Sequence, residues 1–103
     1  MPVPVVEKIF EKIIEIVSEY TGIDRDRIIC GKCEEQVNAR MLLVYNLSRI
    51  GFTDNLIAKL TGLTRQGVNK CKNSYHSKVK QTIFIATISQ RIINRIDAEF
   101  ANG

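Results

Sequence analysis

Asp54-Asn55-Leu56-Ile57-Ala58-Lys59-Leu60-Thr61-Gly62-Leu63-Thr64-Arg65-Gln66-Gly67-Val68-Asn69-Lys70-Cys71-Lys72 reads as two short helices around a tight turn. Ala58 is small, as required where two helix axes approach closely. Gly62 takes positive φ at no steric cost and so lets the chain turn after the first helix. Leu63 plugs the corner, and Thr64 offers a side-chain oxygen to the free N–H groups that open the second helix. Val68 and Cys71, three apart, share one face of that helix, while Arg65, Gln66, Asn69, Lys70 and Lys72 project elsewhere. Together these features form the pattern of a helix-turn-helix, whose second helix enters the major groove of DNA. A plain helical hairpin is the bland alternative. It has no need for cationic and amide side chains at the end that reaches base edges.

Charge supports the sharper reading. The chain of 103 residues has a formal charge of +4 and a pI of about 9.1. Residues 1 to 24 carry two basic against five acidic side chains, residues 25 to 80 eleven against four, and the remainder two against two. The excess positive charge therefore surrounds the proposed reading unit. Arg25, Arg27, Lys32 and Arg40 precede it and Lys78 and Lys80 follow it, so one face can neutralise phosphates on both sides of a groove.

With 45% hydrophobic residues the length allows one domain whose core needs no metal or disulfide. Met1-Pro2-Val3-Pro4 lacks a basic flank followed by an apolar run, and the longest apolar segment, Met41 to Tyr45, is too short to span a bilayer. A soluble, cytoplasmic protein is expected. Three cysteines are an odd number and a poor disulfide framework, which fits a reducing compartment.

The first helix should run from about Val5 to Tyr20, with Pro4 at its start, because Val6, Ile9, Phe10, Ile13, Ile14, Val17 and Tyr20 recur at helical steps. Glu7, Glu11, Glu15 and Glu19 make its opposite, solvated face. After Gly22, Asp24 can cap a brief turn through Arg27 to Ile29, and Cys30-Gly31-Lys32-Cys33 reads as a loop. A central helix is expected from about Glu34 to Arg49, and Thr53 can cap the next. Lys78 to Phe100 carries Phe84, Ile88, Ile92, Ile96 and Phe100 four apart, with Ile85 and Ile93 beside them, and reads as one long final helix. The fold class is all-α: five to six helices in a single domain over 1–103, with a central helix-turn-helix at about 53–75 and a long C-terminal helix.

With the helices in order, residues from about Ile16 to Lys80 resemble the C-terminal DNA-binding domain of the bacterial replication initiator DnaA, which shares its architecture with the Trp repressor. The resemblance rests on Val17-Ser18-Glu19-Tyr20 leading into Thr21-Gly22-Ile23-Asp24, and on the central helix Asn38-Ala39-Arg40-Met41-Leu42-Leu43-Val44-Tyr45-Asn46-Leu47. It also rests on Ile57-Ala58-Lys59-Leu60-Thr61-Gly62 and on Thr64 to Val68 at the base-reading segment. It implies that Arg40 contacts phosphate or minor groove. The family's Asp-His pair in the reading helix is replaced here by Thr64-Arg65-Gln66-Gly67-Val68, so its target sequence does not carry over. No Gly-rich Lys-Ser/Thr phosphate loop is present to bind ATP. The Trp-repressor side of the comparison implies a dimer.

Other chemistry is weaker. Cys30 and Cys33 form a C-x-x-C, half of a typical zinc site that Cys71 and His76 would have to complete, but no spacing requires it. Cys71 is expected on the buried side of the reading helix as a small core residue. His76, without a catalytic companion, is expected at a helix end or on a phosphate. Glu34-Glu35 suits a helix N-terminus, and Asp97-Glu99 reads as a solvated tail. No cofactor, metal or enzymatic activity is expected.

The expected function is sequence-specific binding of double-stranded DNA by a transcriptional regulator or mobile-element accessory protein. Arg65, Gln66 and Asn69 read bases; Arg25, Arg27, Lys32, Arg40, Thr64, Lys70, Lys72 and Lys78 hold the backbone. A homodimer is expected through the final helix, by way of Ile85, Ile88, Ile92, Ile93, Ile96 and Phe100. The alternative is a helical protein-interaction domain that keeps the fold and not the DNA binding.

Overall fold

Six helices carry the chain from Val5 to Phe100. They are α1 (Val5–Thr21), α2 (Arg25–Cys30), α3 (Glu34–Arg49), α4 (Asp54–Thr61), α5 (Arg65–Gln81) and α6 (Ile83–Phe100). The structure, a computed structural model, describes residues 5–100, and the expected placing of Pro4 lies outside them. No strand occurs among the described residues, and none of their helices is long and apolar enough to cross a membrane.

α1 buries Phe10, Ile13, Ile14, Ile16 and Val17 while Glu7, Glu11, Glu15 and Glu19 stay exposed. It stops at Gly22, whose φ of 73° only glycine adopts freely, with the Gly22 N–H donating to the Ser18 carbonyl at 2.8 Å. α3 lies at the centre, burying Ala39, Met41, Leu42, Leu43, Val44 and Leu47 on several sides. Its one buried amide, Asn46, is satisfied within the helix by donating to the Leu42 carbonyl at 2.8 Å. Packing runs in a ring, α1 on α3, α3 on α5, α5 on α6 and α6 back on α1, so α1 and α5 stand diagonally across the bundle. α2 lies against α1 and α3, and α4 against α3 and α5.

Two local expectations are corrected. The turn after Asp24 is a helix that includes Cys30, leaving only Gly31 and Lys32 between α2 and Cys33, the N-cap of α3. The Asp24 side chain makes no cap bond. The helix is held at its other end, where the Arg40 guanidinium donates to the Ile28 carbonyl at 3.0 Å and to the Gly31 carbonyl.

The second correction concerns the C-terminal third. Lys78 to Phe100 is not one helix: α5 continues to Gln81, Thr82 is extended at φ −132° and ψ 111°, and α6 starts at Ile83. A long-range contact requires the bend. Tyr75 Oη and Ser89 Oγ are 2.6 Å apart in the core, whereas a straight helix would hold residues fourteen apart about 21 Å from each other. The apolar positions divide accordingly. Ile85, Ile92 and Ile96 are buried, Ile88 and Ile93 half-buried, and Phe84 and Phe100 exposed. A four-residue step drifts by about 40° around a helix, so the five residues from Phe84 to Phe100 do not share a face. Ile92 and Ile96, 0% and 1% exposed, belong to the core and not to a free dimer seam. Asp97 and Glu99, expected in a solvated tail, sit in α6 and pair with Arg49 at 3.1 Å and Arg95 at 3.1 Å.

Candidate nucleic-acid interface

α4 and α5 are joined by Gly62-Leu63-Thr64, and each boundary has its own hydrogen bond. Thr53 Oγ1 accepts the Leu56 N–H at 3.2 Å to open α4. Gly62, at φ 80° and ψ 4°, closes it by donating to the Ala58 carbonyl at 2.8 Å. Thr61 Oγ1 donates to the Ile57 carbonyl at 2.7 Å and accepts the Leu63 N–H at 3.2 Å, which fixes the corner. Thr64 Oγ1 then accepts the Gly67 N–H at 2.9 Å, leaving its own proton free for an outside acceptor. A Cβ on Gly67 would stand 3.2 Å from that oxygen, so glycine keeps the cap uncrowded. Ile57 and Val68 bury completely and seat the pair on the core, and Lys72 Nζ bonds Asp54 Oδ1 at 2.8 Å across the two helices.

Deeper along α5, Tyr75 stacks on Tyr45 of α3, and His76 sets its edge against both rings, 6.2 and 5.5 Å between centroids. His76 therefore lies within α5 and not at a helix end, the first of its two expected places. Burial pushes the Tyr75 phenol up, although the hydrogen bond with Ser89 works the other way. These contacts fix the rotation of α5 and thereby decide which of its side chains face outward.

The outward face is polar for its whole length. Gln66, Asn69, Asn73 and Ser77 follow one another at three- and four-residue steps, all exposed. With Lys70, Ser74, Lys78 and Gln81 they line a hollow of about 510 Å³. Two of the three expected base readers, Gln66 and Asn69, lie there, and Arg65 is exposed on the first turn of α5. Asn73, Ser77 and Gln81, which sequence reasoning did not name, share this lining. From Asn55 to Ile96 the chain has no carboxylate side chain at all.

The expected backbone contacts divide into free and engaged cations. Arg27, Lys32 and Lys70 are exposed and take part in none of the ion pairs among the described residues, and the same holds for Arg65. Lys72 is engaged with Asp54, and Lys78 Nζ lies 3.9 Å from Glu34. Arg25 turns toward α1, pairing with Glu11 and standing 5.9 Å over the Phe10 ring; its guanidinium holds the Glu11 carboxyl below the usual range. Arg40 spends two donors on the end of α2 and also lies near Cys71 of α5. Burial raises the Cys71 thiol, with the charges of Arg40 and then Lys70 opposing it. Cys30 and Cys33 are exposed thiols, Cys71 is half-buried, and no group of three or more metal-capable side chains converges among the described residues.

Comparison with known proteins adds no relative: the chain matches no protein-family model, no curated protein and no solved structure.

Proposed function

We propose that the chain binds double-stranded DNA sequence-specifically, with α4, the turn and α5 acting as a helix-turn-helix. The observation that carries this reading is the outward strip of α5, 17 residues long, rich in amides and cations and free of carboxylates. Amide and guanidinium groups suit bidentate contacts to adenine and guanine edges, and Arg65, Gln66 and Asn69 stand at the helix end that enters the groove. Lys70, Arg27 and Lys32 are free to meet phosphates, as is the Thr64 hydroxyl. Arg40, Lys72 and Lys78 need only exchange or share a partner to join them. The resemblance to the initiator and Trp-repressor domains points the same way. The chain is read as a binding module and not as an enzyme. Regulation of transcription, or accessory work on a mobile element, is the setting this reading implies.

A protein-interaction role is the second reading, favoured by Ile83 and Phe84, which stand 86% and 68% exposed beside the bend. Selection from random duplexes followed by sequencing decides between the two. Enrichment of one motif, with affinity falling steeply as salt rises, is the result expected of a DNA reader. Weak binding to every duplex, with no motif enriched, would overturn the reading.

A further inference from the structure

The outward strip of α5 is a polar ridge between two banks of charge. At about 100° per residue, Gln66, Asn69, Asn73 and Ser77 fall within about 80° of one another around the helix, opposite the buried Val68 and Tyr75. Lys70 and Lys78 lie to one side of this ridge, and Arg65 and Lys72 to the other. Every residue lining the hollow along it belongs to α5, so no neighbouring element walls it from Gln66 to Gln81.

The ridge side chains are also unengaged. None of the four makes a hydrogen bond among the described residues. Amides four apart can satisfy each other, as Gln90 and Asn94 of α6 do at 3.0 Å. Asn69 and Asn73 have the same spacing and keep their donors and acceptors for an outside partner.

We propose that α5 lies lengthwise in the major groove and that Gln66, Asn69 and Asn73 each take the edge of an adenine, so that the preferred site is short and adenine-rich. This step rests on the DNA-reading proposal and deepens it by naming the bases. An amide meets adenine with two bonds, accepting from N6 and donating to N7. The group that suits cytosine, a carboxylate accepting from its N4, is absent from Asn55 to Ile96, and guanine is left to Arg65 at the start of the row. A helix about 10–12 Å across fits a groove about 12 Å wide, with a phosphate wall on either side. Lys70 faces one wall and Lys72, once exchanged from Asp54, the other. From Gln66 to Ser77 the ridge runs roughly 16 Å, which at about 3.4 Å per base pair spans no more than about five pairs.

Selection of random duplexes by the full chain at one fixed salt concentration, followed by an adenine analogue, tests the assignment. The enriched motif is expected to carry adenines within about five base pairs. Replacing one of them at a time by 7-deazaadenine removes N7 and keeps the base pairing, and should weaken binding roughly ten-fold at each adenine that is read. Asn73 is exposed and alanine favours a helix, so Asn73→Ala should keep its circular dichroism and melting curve. It is expected to bind the unmodified duplex roughly ten-fold more weakly and to lose its sensitivity to the analogue at one adenine only. A motif without adenine, or an Asn73→Ala that selects and binds as the unsubstituted chain does, would overturn the proposal and leave a DNA reader. No enriched motif at all would remove the DNA reading and this assignment with it.

Discussion

Tyr45 of α3 and Tyr75 of α5 stack face to face, their ring centroids 3.5 Å apart and their planes 9° from parallel. Tyr75 also shares a buried hydrogen bond with Ser89, so one side chain ties α5 to the central helix and to α6. Removing its hydroxyl by Tyr75→Phe leaves the Ser89 oxygen buried without that partner, at an expected cost of about 1 to 3 kcal/mol in urea unfolding. Adding Ser89→Ala should return part of the loss, because neither polar atom then remains. A double variant no more stable than Tyr75→Phe would contradict this account.

Base readers and phosphate contacts should separate by their sequence dependence. Arg65→Ala, Gln66→Ala and Asn69→Ala are each expected to cost about 1 to 3 kcal/mol on the selected duplex and little on a scrambled one. Lys70→Ala should weaken both duplexes alike. Asn73, a turn further along the same strip, belongs with the readers if the groove follows α5 that far, and binding curves for Asn73→Ala on the same duplexes measure it.

Asp54 pairs with Lys72 at 2.8 Å, and on the DNA-binding proposal that pair competes with phosphate for the lysine. Asp54→Asn should change stability by no more than about 1 kcal/mol, since the pair is only partly buried. Freed, Lys72 is expected to strengthen binding to every duplex and to steepen the log–log salt dependence by about 0.9. A slope unchanged by the substitution would show that Lys72 never reaches the backbone.

Thiol chemistry should report burial. Cys30 and Cys33 are expected to react quickly with a soluble disulfide reagent near neutral pH and Cys71 slowly, as pulse labelling with mass spectrometry will resolve. The pH sign follows from the raised Cys71 value. The folded chain keeps that proton to higher pH than the unfolded chain, so its contribution to stability is complete below the ordinary thiol value. It is lost as pH rises through the folded one. Denaturant curves that are steeper in alkaline loss for the native chain than for Cys71→Ala would bear this out.

What was legible in the sequence was what short-range chemistry decides. The corner at Gly62 and the caps at Thr53 and Thr64 follow from residues within three or four positions, and the helix Glu34–Arg49 ends where its own polar and glycine neighbours end it. The bend at Thr82 was not legible because the contacts that accompany it, among them the meeting of Tyr75 with Ser89, exist only once α6 has docked. The partners of Arg25 and Arg40 were hidden for the same reason: Glu11 and the Gly31 carbonyl are fourteen and nine residues away. Within the candidate site, the outward placing of Gln66 and Asn69 was legible from the first turns of α5. That Asn73, Ser77 and Gln81 line the same hollow was not legible, because the helix was read as a short one and its spacing was not carried on.

The diagonal placing of α1 and α5 gives the molecule an electrical polarity. Glu7, Glu11, Glu15 and Glu19 look outward on one helix, and the acid-free strip looks outward on the other, with α3 and α6 between them. In the field of a polyanion such a body feels a torque before it feels a contact, and turns the strip forward while still in solution. On the DNA-binding proposal the gain would be in the rate of productive encounter, and it would fade as salt shortens the screening length, which is about 8 Å at physiological ionic strength. Reversing the charge of Glu7 and Glu15, neither of which takes part in an ion pair among the described residues, should therefore slow the share of collisions that succeed while leaving the lifetime of the bound state unchanged.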